Sequence, residues 1–419
     1  MRGMRLPVLV LLAVLTAGAS GAAERIVPAE PGALARAIET ARPGDVLVLQ
    51  AGDHPGPVMI DRALTLKGDG ARIVGTGQGN VIDIEADDVT VEGLAITGSG
   101  KLLNELDSGI AIGKETRRAR VIGNRITGNL IGVDVQGGLD VLVKGNVIIG
   151  RDDLRRPEMG PGIYVWNAPG LVVEGNDISL GRDGIFVSSS SQAIYRDNRM
   201  HDLRFAFHSM YANDIELTGN RSTGNNLGFA FMYSSRIVAR GNLSEGDTTH
   251  AFFMNYANDA VIEGNEARNG GEKCLFIYNA NKNRILDNRF EGCDIGLHFT
   301  AGSERNVLSG NAFIDNRTQV KYVGSRWLEW SEGERGNYWS DHVAFDIDGD
   351  GRADSPYRPN DAIDQLVWTQ PMAKLLLGAP AMQLISFSQS RFPGLLPGGV
   401  TDSHPLLSPG NAGVGGAFQ

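Results

Sequence analysis

At 419 residues, 55 of them glycine, the chain exceeds one ordinary domain of ~100–200 residues unless it is built as a repeat or a barrel. Two cysteines and 17 prolines exclude a disulfide scaffold and collagen, and 42% apolar against 21% charged residues excludes a disordered chain. A formal net charge of −10 leaves no electrostatic basis for gripping nucleic acid or anionic lipid.

Residues 1–23 read as a secretory signal. Arg2 and Arg5 precede a short apolar run over 6–17, and small residues at 18–23 offer a cleavage site. The run is too short to span a bilayer, which takes ~20 residues, and no Arg-Arg pair marks the twin-arginine route. Loss of this segment takes the net charge from −10 to −12. The mature protein is expected to be soluble outside the cytoplasm.

Residues 24–65 are expected to form an N-terminal cap. Leu34, Ala37, Ile38 and Ala41 fall at helical spacing and can cover the first coil of a solenoid. From 66 to 325 the chain repeats. A Gly-Asn or Asp-Asn pair recurs with its Asn at 124, 146, 176, 198, 220, 242, 265, 288 and 311, and every interval but one is 22 or 23. The exception, from 146 to 176, holds eight extra residues and is read as an inserted loop. Each unit carries short alternating runs bounded by Gly, Asn, Asp and Ser, the pattern of strands and turns. Asn tolerates left-handed backbone angles, so one Asn per unit can form a stacked ladder at a tight corner. The expected fold is therefore all-β, a right-handed parallel β-helix of about ten coils and ~50 Å, with an N-terminal capping helix and a C-terminal helical and loop extension. The loops over 101–108 and 151–160 should project from one edge of this rod.

Counting back from each Asn separates the faces. Thirteen residues before it stand Ile163, Ile185, Phe207, Phe229, Phe252 and Leu275, and eleven before it Val165, Val187, Ser209, Phe231, Met254 and Ile277, which are read as the core. Twelve before it stand Tyr164, Phe186, His208, Ala230, Phe253 and Phe276, and ten before it Trp166, Ser188, Met210, Met232, Asn255 and Tyr278, which alternation turns outward. His208 and Met210 share a strand face, and Met232 is expected directly above Met210. Imidazole plus thioethers is a soft ligand set suited to Cu(I). Pattern alone slightly favours a patch covered by a neighbouring segment, since Met fills gaps well; a partner-binding patch is the third reading. His201 and His250 lie elsewhere in the register and His298 falls in the inward column, so all three are read as structural. For Cys274 and Cys293, 19 residues apart, a disulfide between neighbouring coils and two buried free thiols both stand open.

Residues 326–419 are expected to hold a C-terminal cap, a metal loop and a docking tail. Trp327, Trp330 and Trp339 cluster where the repeat fades. Asp346, Asp348, Asp350 and Asp354 then occupy positions 1, 3, 5 and 9 of a calcium-type loop, with Gly351 at position 6 and the Arg352 carbonyl at position 7. Position 12 is Tyr357 rather than a bidentate Glu. The loop is read as a Ca2+ or Mg2+ site. The stretch 371–393, with Leu375, Leu376, Met382, Leu384, Ile385 and Phe387, is apolar enough for a docking helix pair. The exposed strand face lacks paired carboxylates or a lyase-like Asp/Arg/Lys cluster, and no nucleotide loop or nucleophile elbow occurs, so the chain reads as a binding protein and not an enzyme.

With this signal, these coils, this stripe and this tail, the sequence resembles the NosD family, periplasmic copper-processing proteins of nitrous oxide reductase maturation in denitrification. The resemblance spans essentially the whole mature chain. Its most specific elements are Gly336-Asn-Tyr-Trp-Ser-Asp341, Asp346-Ile-Asp-Gly-Asp-Gly351, Asp354-Ser-Pro-Tyr357 and Pro371-Met-Ala-Lys-Leu-Leu-Leu377. It implies a protein held at the outer surface of the inner membrane by an ABC transporter, which hydrolyses the ATP. It further implies that copper is received from a membrane-anchored copper chaperone and passed to apo-nitrous oxide reductase. Under this resemblance His208, Met210 and Met232, chosen by register and not carried over from the family, are expected to form a transient Cu(I) site. The competing class is a periplasmic polysaccharide-binding or lyase-like β-helix that uses Tyr164, Trp166 and Phe186 as stacking platforms.

Overall fold

A computed structural model describes residues 22–360, 362–376, 379–391, 399–410 and 412–413; the signal expected over 1–23 lies almost wholly outside them. The chain winds as a parallel β-solenoid. Each coil gives one short strand to each of three sheets, of 13, 12 and 13 strands, and neighbouring strands of a sheet are parallel. Twelve steps of ~4.8 Å make the rod nearly 60 Å long, longer than ten coils allow. Stacking also begins earlier than expected. Glu24–Val27 already pairs with Asp45–Leu49, so the segment up to residue 65 contributes strands as well as a cap.

The core follows from alternation. Ile163, Ile185, Phe207, Phe229, Phe252 and Leu275 form one buried column, and Phe229 stacks on Phe252 at 5.1 Å between centroids. At the corner, the Asn ladder satisfies backbone groups that have no sheet partner. The Asn220 side-chain amide donates to the Tyr195 carbonyl and to Asn242 Oδ1, and its own Oδ1 accepts from the backbone N–H and side-chain amide of Asn198. The pattern continues one rung beyond the expected nine, to Asn337.

The ladder ends on Asp402. Its buried carboxylate accepts from the Asn337 backbone N–H at 2.7 Å and from Trp339 Nε1 at 2.9 Å. Gly336 is required there, because a Cβ would lie 1.8 Å from Asp402 Oδ1. Trp339 stacks between Phe313 and Tyr357, and Trp330 is buried beside it, whereas Trp327 remains exposed. At the other end, helix α1 (Ala33–Thr40) buries Ala33, Leu34 and Ile38 over the first coils. Cys274 and Cys293 are joined by a disulfide. The two inserted loops do leave one edge: Lys101 Nζ reaches Asp153 at 2.6 Å.

Candidate metal centre

The outward face of the 12-stranded sheet carries the soft side chains. Phe205–Met210 and Leu227–Met232 pair in register, which places His208 beside Ala230 and Met210 directly beside Met232, ~4.8 Å apart along the rod. Asn255 follows Met232 in the next strand. The expected stacking of the two thioethers, with one imidazole two residues along, is the arrangement the register produces.

The surroundings of His208 were not legible in that column. Only 7% of the residue is exposed. Its ring lies between Phe186, at 4.9 Å, and Phe205, at 4.6 Å. Nδ1 stands 3.4 Å from Asp183 Oδ2, and Asp183 is clamped by both nitrogens of a fork from Arg204, at 2.9 and 2.8 Å. Burial pushes the Asp183 carboxyl up, but the bonds from His208 and Arg204 outweigh it and hold the group below its ordinary range. With Nδ1 facing the carboxylate, Nε2 points away from it and is buried without a partner. A carboxylate behind one imidazole nitrogen and an open second nitrogen is the outer-shell arrangement of metal-ligating histidines. Asn255 Oδ1, beyond Met232, is likewise buried and unpartnered. The available signal for Asp183 was an acid at a strand-entry position where the next coils carry Phe205 and Leu227.

His298 corrects the register count. It pairs with Phe276 and stacks on it at 4.6 Å, on the outward face rather than inside. Ile295 follows its partner Lys273 by 22 residues, but Val307 follows Arg284 by 23, so the added residue lies in the turn after Thr300, around Gly302. Counting back across that turn shifts every face by one. His250 packs edge-on against Phe253 and Phe276, and its Nδ1 donates to the Thr249 carbonyl. His201 belongs to another sheet and sits between Asp177 and Asp202.

The residues read as aromatic platforms pack against one another and against Lys114, and all three stay partly exposed. Tyr164 and Phe186 stack on each other at 5.5 Å, and the Lys114 ammonium lies 5.4 Å over the Trp166 ring. Toward the N-terminal end the outward face carries Asp83 and Asp134, on strands either side of Ala111.

In the C-terminal loop, carboxylate oxygens of Asp346, Asp348 and Asp350 lie within 4.8 Å of one another. Asp346 also accepts backbone N–H groups from Gly349 and Gly351. Asp354 turns instead to the Ile347 N–H, and the Arg352 side chain pairs with Glu334 and Asp350. Tyr357 is a structural residue, donating to the Asp341 carboxylate. Of the tail residues, Leu375 and Leu384 are 79% and 64% exposed while Met382 is buried; the side chain of Phe387 lies outside the described residues. Among the described residues no helix is long and apolar enough to cross a membrane.

A Family 28 exopolygalacturonase of Yersinia enterocolitica superposes with a TM-score of 0.56 at 10% identity, over 72% of this chain and 77% of that one, a likeness of fold alone. Residues 139–344 match the family described as "Periplasmic copper-binding protein (NosD)". A protein of Stutzerimonas stutzeri named "Probable ABC transporter binding protein NosD" is 37% identical over 86% of each chain. One of the same name from Pseudomonas aeruginosa is 38% identical over 86% of this chain and 87% of its own. The chain therefore belongs to the NosD family of periplasmic copper-binding proteins.

Proposed function

We propose that this protein handles copper in the periplasm, without catalysis of its own, as the partner of an inner-membrane ABC transporter. It receives Cu(I) from a membrane-anchored chaperone and passes it to apo-nitrous oxide reductase. The observation that carries this reading is the unpartnered Nε2 of His208, held by Asp183, on the same face as Met210 and Met232. Cu(I) is soft and accepts imidazole and thioether donors, and a set of neutral ligands can release it again to a stronger site. Copper is cargo here, not a resident cofactor.

A Cu(I) titration of the purified protein tests the site. His208→Ala and Met232→Ala should each weaken binding at least tenfold, about 1.4 kcal/mol. Undiminished binding in both variants would sink the assignment, and full copper occupancy of reductase from a strain lacking this protein would sink the maturation role.

The exposed Met372, Leu375, Leu376 and Leu384 support seating of the C-terminal segment on the transporter. Deletion of residues 371–419 should abolish recovery of the transporter complex from membranes, and intact recovery refutes this. The Asp346 loop is proposed to hold Ca2+ or Mg2+, supported by its three gathered carboxylates. A Mn2+ titration unchanged by Asp346→Asn with Asp348→Asn would overturn that.

A further inference from the structure

At the corner that follows the outward face of the 12-stranded sheet, one residue per coil takes left-handed backbone angles. Before the coil of Met210 it is a type that tolerates them, Gly137, Asn167 and then Ser189, and after the coil of Asn255 it is Asn279. In the three coils between it is a tyrosine, at φ of 54° for Tyr211, 49° for Tyr233 and 51° for Tyr256. A bulky side chain is strained there, because its Cβ crowds the backbone, and Asn or Gly would make the same turn with less strain. Strain of this kind persists where something other than the turn selects the residue. These three coils are the ones that present Met210, Met232 and Asn255, each the residue immediately before its tyrosine.

The rings are exposed and already ordered. Tyr211 stacks on Tyr233 at 5.3 Å and Tyr233 on Tyr256 at 5.1 Å, with Tyr278 edge-on at the far end. The Tyr256 hydroxyl accepts a hydrogen bond from Asn279, whereas those of Tyr211 and Tyr233 meet no partner among the described residues. Three residues past each ring runs a second left-handed row, and its charges pair with one another, Asp214 with Arg236 and Asp259 with Lys282. Rigid amphipathic rings with open hydroxyls, edged by self-paired charges, have the make-up of a protein contact surface, where tyrosine is enriched and charge lies at the rim. A sugar fits less well, since it stacks on an open ring face and these faces are covered by neighbouring rings.

We propose that the tyrosine ladder is the docking surface for the protein that exchanges Cu(I) with this one, an inference that rests on the copper reading above. Copper passes between proteins by ligand exchange: one bond to the ion forms on the second protein as another breaks on the first, and the ion stays Cu(I). A donor atom of the second protein must therefore reach the ion while it is still held here. Each tyrosine lies one residue, ~3.3 Å of strand, beyond the column of Met210 and Met232. A protein that reaches the ion covers the rings. The partner that fits carries its own copper site at its surface, bordered by apolar and hydrogen-bonding side chains rather than by charge.

The test borrows the residue that other coils use at this corner. Tyr211→Asn with Tyr233→Asn in the full mature protein should leave the urea midpoint unchanged or raised, and the Cu(I) affinity unchanged. Its complex with the Cu(I)-loaded soluble domain of the membrane-anchored chaperone should weaken at least tenfold, and copper transfer from that domain should slow in proportion. Tyr211→Phe with Tyr233→Phe, which keeps the stack and removes the open hydroxyls, should weaken the complex in the same direction without loss of fold. Unchanged complex affinity and transfer in the folded asparagine variant would overturn the proposal. So would a lowered urea midpoint for the asparagine variant with full affinity for the chaperone in the phenylalanine variant, which would make the ladder a brace for the corner. A parent protein that takes no copper from the chaperone would sink the copper reading itself, and this proposal with it.

Discussion

Replacement of Asn220 by alanine is expected to lower the unfolding free energy by about 4–6 kcal/mol, one of the largest single effects available in this rod. The side chain makes four hydrogen bonds in a site with 1% exposure. Its loss strands the backbone N–H of Asn198, that residue's amide, and the Tyr195 carbonyl, each at roughly 1–3 kcal/mol, with some relief from relaxation or an entering water. Neighbouring coils support one another, so a defect in the middle weakens two interfaces at once. Asn213 is the control: half-buried, with one bond to the Ser235 N–H, it should cost no more than about 1.5 kcal/mol on truncation. Urea unfolding of both variants decides the matter. Equal midpoints would mean that the ladder contributes no more than any surface amide.

That ladder also explains which features could be read in advance. A period of 22 or 23 residues sets the register, so counting from Asn recovered the core and the Met210–Met232 strand pairing without coordinates. The count failed where a coil changed length. One residue around Gly302 turned His298 to the other face, and an interval of 26 hid Asn337 as the last rung. The earliest strands were missed because the Gly-Asn signal begins only at Asn124; Glu24–Val27 carries its alternation without that corner.

The chemistry divides in the same way. His208, Met210 and Met232 share columns, whereas Asp183, Arg204 and Phe205 reach the imidazole from strand entries and the turn before them, positions that a column count never compares. Asp134 was within reach. It stands twelve residues before Asn146, in the outward column of Tyr164, one coil ahead of the first residues compared. The match of Asp134 to Asp83 across Ala111 was not, because coil lengths in that region vary.

Acidification should destabilise the protein through His298. Burial, then the positive charges of Lys321 and Lys273, push its imidazole down to about 3 from 6.5, with His250 adding a smaller push. Nδ1 is buried without a partner, and the ring is stacked on Phe276. In the folded state the ring therefore stays neutral while the unfolded chain takes up a proton below pH 6.5. The unfolded state binds more protons across this window, so stability is complete above pH 6.5 and falls as the pH drops toward 3. Between pH 7 and pH 4 the loss from this group is about 3 kcal/mol, from ~1.36 kcal/mol per pH unit below 6.5. His250, lowered chiefly by burial and then by Lys273, acts in the same direction. Asp134, raised by burial, acts in the opposite one, since its folded form keeps a proton that the unfolded chain sheds. Comparison with His298→Phe cancels both. The variant keeps the stack on Phe276 without a titrating ring, and its stability between pH 7 and pH 4 should fall about 3 kcal/mol less than that of the parent. Parallel stability curves for the two proteins would show that His298 is protonated in the folded state, and that the lysines beside it do not set its charge.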